Sequence, residues 1–288
     1  MDMKDMIQLG MQLALWVLVA AVGLQARWQD VVATMRRPAG LLRALLAVNL
    51  IVPATATILC LLFPMDSSIK IGLVLMAVSP LAPLVTGKML RGGADASRVV
   101  GFYTLLTLLS VAIVPATLIL LSQLFPADAA ISMMAIAKLA TISVLVPLAA
   151  GLLVGTAVPL LAQRLARPMT VVGYTLLVLV AAPIIISQAA DVAGLVGDGS
   201  VIAMALTSLS AVAAGHWLGG PELRGRLALA TAAATRHPGM AILIISSNFE
   251  DRRAVLAVML YLVISVIVSA LYQAWAKHRE PVAAAALA

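Results

Sequence analysis

Apolar runs of about 20 residues, each closed by a short polar or basic stretch, recur along the whole chain, and a helix needs that length to cross about 30 Å of hydrocarbon. The pattern predicts an all-α membrane protein with nine transmembrane helices. They run from Met6 to Leu24, Leu41 to Phe63, Ile69 to Leu90, Val99 to Phe125, Ile131 to Leu160, Thr170 to Gln188, Ser200 to Leu218, Leu227 to Phe249 and Ala254 to Trp275.

Two of these runs are interrupted. The eighth carries Thr235-Arg236-His237-Pro238-Gly239 near its middle. A charge at the bilayer centre costs about 3 kcal/mol on insertion scales and more in simulations, so it faces a cavity or a partner. Pro238 removes a backbone donor and Gly239 loosens the helix, and irregular backbone at that depth is tolerated where it lines a cavity or packs in protein. The third run holds Ser79-Pro80-Leu81-Ala82-Pro83, then Thr86, Gly87 and Lys88. Two prolines near the midpoint unwind it. The broken helices stand five apart, so they enter the membrane from opposite sides, as inverted repeats with two crossing broken helices require.

Composition agrees with this reading: 63% of residues are hydrophobic and 11% are charged, with a mean hydropathy of +1.09. The net charge of +7 does not point to nucleic acid, because the basic residues are scattered singly between apolar segments. They report topology instead. Twelve lie on one side (Arg27, Arg36, Arg37, Arg43, Arg91, Arg98, Arg164, Arg167, Arg224, Arg226, Lys277, Arg279) and four on the other (Lys4, Lys70, Arg252, Arg253). This asymmetry predicts a multi-pass protein with a cytoplasmic C-terminus and an external N-terminus. Compact loops suggest a bacterial inner membrane, and Asp2, Lys4 and Asp5 make the first run a poor cleaved signal peptide. The single cysteine, Cys60, excludes a disulfide framework and reads as core packing.

All 12 acidic residues fall in predicted loops or termini, while Lys88, Lys138 and Arg236 fall within predicted helices. The membrane interior therefore holds cations and no carboxylate to neutralise them. Backbone carbonyls and water satisfy them, or a bound anion does. Arg236 is the leading substrate-binding candidate; its alternative role is to cap carbonyls freed by Pro238. Lys88 lies about 8 Å along the helix from Pro83 and either approaches the same crossing or snorkels to the headgroups. His237 is the candidate proton carrier, with an imidazole satisfied by backbone as the alternative. Ser79, Thr86 and Thr235 flank the breaks, and Thr107 shares a face with Thr104. These hydroxyls often bond their own preceding carbonyls. Asn49 needs a partner within its helix, and four residues later Pro53 frees a carbonyl. Lys138 is expected to snorkel outward, and His216, beside Trp217, to anchor at the interface. Gly72, Gly87, Gly92 and Gly93 permit close packing or bending around the third helix.

Gly23-Leu24, Arg36-Arg37-Pro38, Pro53 and the two broken helices together resemble the bile acid:sodium symporter family, within the wider bile/arsenite/riboflavin transporter group. The resemblance implies a single transporter domain with a core of helices within about 41–125 and 200–275. A panel of helices within about 6–24 and 131–188 would complete it. The departures matter as much. Sodium-coupled members resemble one another in an eighth-helix motif of Glu, three residues, Gln-Asn, one residue and Gly-Leu-Ala. This chain has Ala232, Arg236-His237 and Gly239-Met240-Ala241 there. The third-helix Pro-Gly-Gly-Thr-Ala-Ser-Asn becomes Pro80-Leu81-Ala82-Pro83-Leu84-Val85-Thr86.

Hard cations take oxygen ligands, whereas Arg236 offers donors and a fixed positive charge. The expectation is a secondary transporter of a small organic anion, by alternating access, without the family's usual sodium sites, and with protons as the candidate coupling ion. Two alternatives are a sodium-coupled bile acid or organic acid symporter with altered ion ligands, and a non-transporting membrane sensor. Catalysis is not expected, because intramembrane proteolysis and prenyl transfer need acids that these helices lack, and no phosphate loop or zinc motif is present. No cofactor, metal or nucleic acid is implied. The expected partners are the bilayer and the substrate, with no obligate protein partner.

Overall fold

The computed structural model describes residues 3–91, 96–122, 138, 141–187, 195, 197–248 and 252–285, and these are helical with no strand among them. In chain order the helices are α1 (Met3–Gln25), α2 (Trp28–Met35), α3 (Pro38–Leu62), α4 (Ser67–Val78), α5 (Leu84–Arg91) and α6 (Ala96–Ser122). Then come α7 (Thr141–Ala157), α8 (Pro159–Ser187), α9 (Ser200–Leu218), α10 (Leu223–Ala234), α11 (Pro238–Asn248) and α12 (Arg252–Ala285). Among the described residues four segments are long and apolar enough to cross a membrane by themselves: Pro38–Leu62, Arg98–Leu121, Ser200–Leu218 and Arg253–Ala276. A fifth is added if Leu9–Gln25 and Trp28–Met35, bent by 82°, count as one span.

Both expected breaks are present. The third predicted helix is α4 and α5 with residues 79–83 between them, and the eighth is α10 and α11 with residues 235–237 between them. Alone, the 12 residues of α4 or α10 reach about 18 Å, short of a bilayer's apolar thickness. Asp66 caps α4 by accepting a hydrogen bond from Ser68 N at 2.8 Å.

Other boundaries differ from expectation. Residues 28–35 were expected to be loop, yet form α2, which buries Val31 and leaves Trp28, Gln29 and Met35 exposed. The fifth helix stops at Ala157, and α8 starts at Pro159, well before the expected Thr170. The stretch around Arg164 and Arg167 is helical because its apolar positions fall four apart. Ala162 and Ala166 bury against Leu24 while both arginines stay exposed. Pro168 lies inside this helix. The expected start of the fifth helix, residues 131–137, lies outside the described residues.

Small residues set the closest helix contacts. α1 packs on α7 and α8, and a Cβ on Gly23 would stand 2.5 Å from the Leu148 carbonyl oxygen. α4 packs on α12, where a Cβ on Gly72 would stand 2.6 Å from the Ala254 carbonyl oxygen. Gly72 is thus a packing residue, as expected. Gly87 has nothing within 4 Å of where its Cβ would be, and Gly92 and Gly93 lie outside the described residues.

Candidate functional site

The two breaks meet. Leu81 and Arg236 form an isolated antiparallel bridge, in which Ala82 N donates to the Thr235 carbonyl at 3.2 Å and His237 N to the Pro80 carbonyl at 3.0 Å. Each unwound strand thereby satisfies the other's backbone, which Pro80, Pro83 and Pro238 leave short of helical partners. The N-termini of α5 and α11 and the C-termini of α4 and α10 adjoin these two breaks.

Arg236 is 1% exposed. Its Nη1 donates to the Ser79 carbonyl at 3.2 Å and its Nη2 to the Val48 carbonyl. Both acceptors follow from proline chemistry. In an α-helix the Ser79 carbonyl would pair with the amide of residue 83, which is Pro83. Residues 46–51 of α3 are wound as π-helix, a register in which the Val48 carbonyl looks five residues ahead, to Pro53. Neither proline has an N–H to give, and the guanidinium takes both places. Two of its five donors are used in these bonds, and Nε has no partner.

His237, 2% exposed, has no hydrogen-bond partner at either ring nitrogen. Its ring packs over Gly239, where a Cβ would stand 3.0 Å from His237 Cε1 and 3.8 Å from Met11 Cε of α1. Thr235 is buried, and its hydroxyl is likewise without a partner. Tyr261 of α12 is fully buried and close enough to Arg236 to interact with its charge.

The remaining candidates divide. Ser79 Oγ donates to the Leu75 carbonyl at 2.7 Å and Thr86 Oγ1 to the Pro83 carbonyl at 2.9 Å, the backbone use anticipated for such hydroxyls. Asn49 is half-buried in the π-wound stretch, next to the Val48 carbonyl that Arg236 engages. Lys88 is half-buried in α5, five residues beyond Pro83. Thr107 is buried beside Tyr103 on α6, and no hydrogen bond from it reaches either break. Lys138 is exposed. His216 closes α9, with Nδ1 2.8 Å from Tyr272 Oη and its ring edge-on to Tyr272 and Trp275. Its neighbour Trp217 is 80% exposed, as suits an interfacial anchor.

Sequence reasoning missed Val48 and Tyr261. The only local signal for Val48 was Pro53, which pointed one residue away, to Asn49, because an α-helical register was assumed. Tyr261 gave none, since a tyrosine within an apolar run reads as packing.

No group of three or more potential metal ligands occurs among the described residues. No curated protein matches the chain. The model of the Sodium Bile acid symporter family matches residues 12–194, a stretch that includes the first break and ends before the second. These residues make up well over half of the chain, and the helices around them are those of an integral membrane protein. The chain belongs to the sodium bile acid symporter family, whose members are transporters and not enzymes.

Proposed function

We propose that this protein is a secondary transporter of an organic anion, working by alternating access, with Arg236 standing where sodium-coupled relatives hold their ion. The observation that carries the reading is the guanidinium itself. It lies buried at the junction of two broken helices, bonded to two carbonyls with its Nε left without a partner, four residues after Ala232, where the sodium motif has a carboxylate. Sodium would need those oxygens and would face a fixed positive charge.

An anion is the complementary occupant. The N-terminal dipoles of α5 and α11 add to the charge of Arg236, which keeps donors in reserve for a carboxylate or sulfonate. His237 and Thr235 supply further polar atoms without protein partners. Ser79 and Thr86 flank the first break and Asn49 adjoins Val48, while Lys88, five residues beyond Pro83, and Thr107, on α6, stand farther back. The mostly aliphatic walls suit an organic anion better than phosphate.

Access requires movement, because Arg236 and His237 are both buried. We assign α1, α7 and α8, which pack on one another, to a panel, and the helices bearing the breaks to a core that rocks against it. In this reading nine spans form inverted repeats. The arginine-rich end faces the cytoplasm and the N-terminus the outside of a bacterial inner membrane.

Flux of organic anions into proteoliposomes is expected to be the same in sodium and in potassium buffers. Steep activation by external sodium would instead favour a sodium-coupled symporter with altered ligands, and absence of flux for every anion would favour a sensor. His237 carries the imidazole of the junction, so it is the residue at which proton coupling is tested. In His237→Gln the dependence of flux on a pH gradient should flatten while anion binding persists; an unchanged gradient dependence places the proton elsewhere.

A further inference from the structure

A second site lies away from the junction. A cavity of about 610 Å³ opens at the end of the bundle that carries the arginine excess. Its walls come from α2, α3, α5, α6, α9 and α10, and no residue of α1, α7 or α8 lines it. Four arginines, Arg37, Arg43, Arg98 and Arg224, face two carboxylates, Asp30 and Glu222. Within the described residues no ion pair ties Arg37, Arg43 or Arg224 to either carboxylate. Arg43 reaches from α3 toward the loop before α10, its Nη1 4.0 Å from where a Cβ on Gly220 would stand.

The surroundings name the occupant. α2 turns 82° away from α1, so with α1 upright in the bilayer α2 runs along the surface. The same corner exposes Trp28, Met35 and Leu42, apolar side chains of the kind that acyl chains cover. A positively charged hollow at a membrane surface, edged by exposed apolar groups, fits a molecule with an anionic head and a hydrocarbon tail. Its volume falls in the range of small-molecule sites, about 300–1,000 Å³. We propose that this cavity seats the headgroup of an anionic phospholipid, held by Arg37, Arg43 and Arg224.

Such a lipid would act on transport through position. Met89 of α5 and Leu229 of α10 line the cavity, each six residues from its break at Pro83 or Thr235, or about 9 Å along the helix. A headgroup held by Arg37, Arg43 and Arg224 therefore ties the corner between α2 and α3 to α10 and lies against α5. The lipid site stands whether or not Arg236 binds the transported anion.

The test uses the purified full chain in phosphatidylcholine nanodiscs, with phosphatidylglycerol, inorganic phosphate or more phosphatidylcholine added. Thermal stability and lipid retention in native mass spectra are read. Phosphatidylglycerol should be retained and raise the melting temperature. The paired change Arg43→Gln and Arg224→Gln should weaken its retention about thirty-fold, and Arg253→Gln at the far end should leave it unchanged. If the pair does not fold, Arg37→Gln, at an exposed position, should weaken retention about fivefold by itself. Retention equal to that of the parent in whichever variant folds, equal retention of phosphatidylcholine, or a full thermal response to inorganic phosphate alone would each overturn the proposal. The last outcome would mark a small-anion site.

Discussion

Replacing Arg236 by alanine is expected to lower organic-anion flux by about two orders of magnitude while leaving the protein folded. A charge-assisted hydrogen bond contributes roughly 1.5–3 kcal/mol, or about 10- to 150-fold in affinity, so losing one strong bond or two weaker ones to the anion costs about that factor. Stability should move much less. The carbonyls of Ser79 and Val48 lose their donors, at roughly 1–3 kcal/mol each if nothing replaces them. The same change removes a desolvated charge whose burial costs several kcal/mol. These effects oppose each other, and water entering the vacated space compensates further. Arg236→Lys should keep the charge but reach one carbonyl, since an ammonium lacks the planar fork that spans both; it is expected to keep a minor fraction of the flux. A thermal-shift assay against a panel of organic anions separates binding from folding. If the alanine variant is stabilised by anions as well as the parent, Arg236 is a structural cap and not the anion's partner.

A harder version tests the claim that the arginine replaces an ion. Restoring the sodium motif through Ala232→Glu, Arg236→Gln and His237→Asn returns a carboxylate and two amides to the junction. Flux in that triple variant should become sodium-dependent. Flux that stays indifferent to sodium, in a variant that still folds and transports, would show that these positions do not decide coupling.

The second large effect is mechanical. Gly151→Val is expected to destabilise the protein by roughly 2–4 kcal/mol and to lower its melting temperature by about 5–10 °C. A Cβ on Gly151 would collide with the Ala20 carbonyl oxygen and stand 2.9 Å from Gly23 Cα. Those obstacles are backbone, so no rotamer change relieves the clash and α1 must separate from α7. Gly23→Val should behave similarly, because its Cβ meets the same contact from the other side. Gly87→Ala provides the contrast. Nothing lies within 4 Å of that position, and alanine is the better helix former by about 1 kcal/mol, so stability should hold or rise slightly. An equal loss at Gly87 and Gly151 would mean that glycine is needed for backbone freedom and not for close approach.

Two kinds of information separate cleanly in this protein. Composition and the length of apolar runs sufficed for a helical membrane protein, because bilayer thickness dictates helix length and hydrocarbon excludes unpaired backbone. Pro80 with Pro83, and Pro238 beside Gly239, located both breaks through the missing N–H, whereas single prolines such as Pro168 stayed inside unbroken helices. The absence of carboxylates from the predicted helices was equally plain in the sequence.

Partners were another matter. Arg236 bonds to carbonyls 157 and 188 residues away in sequence, and periodicity carries no record of which distant loop will face a given side chain. The choice of Val48 over Asn49 depended on a π-helical register that residue types do not encode by themselves. The helicity of α2 and the early start of α8 came from burial of Val31, Ala162 and Ala166 against other helices, which outweighed the arginines and the proline that read as loop. Among the glycines, the demand at Gly151 and the freedom at Gly87 are set by what stands opposite each one. Local chemistry placed the breaks, and packing chose what each break holds.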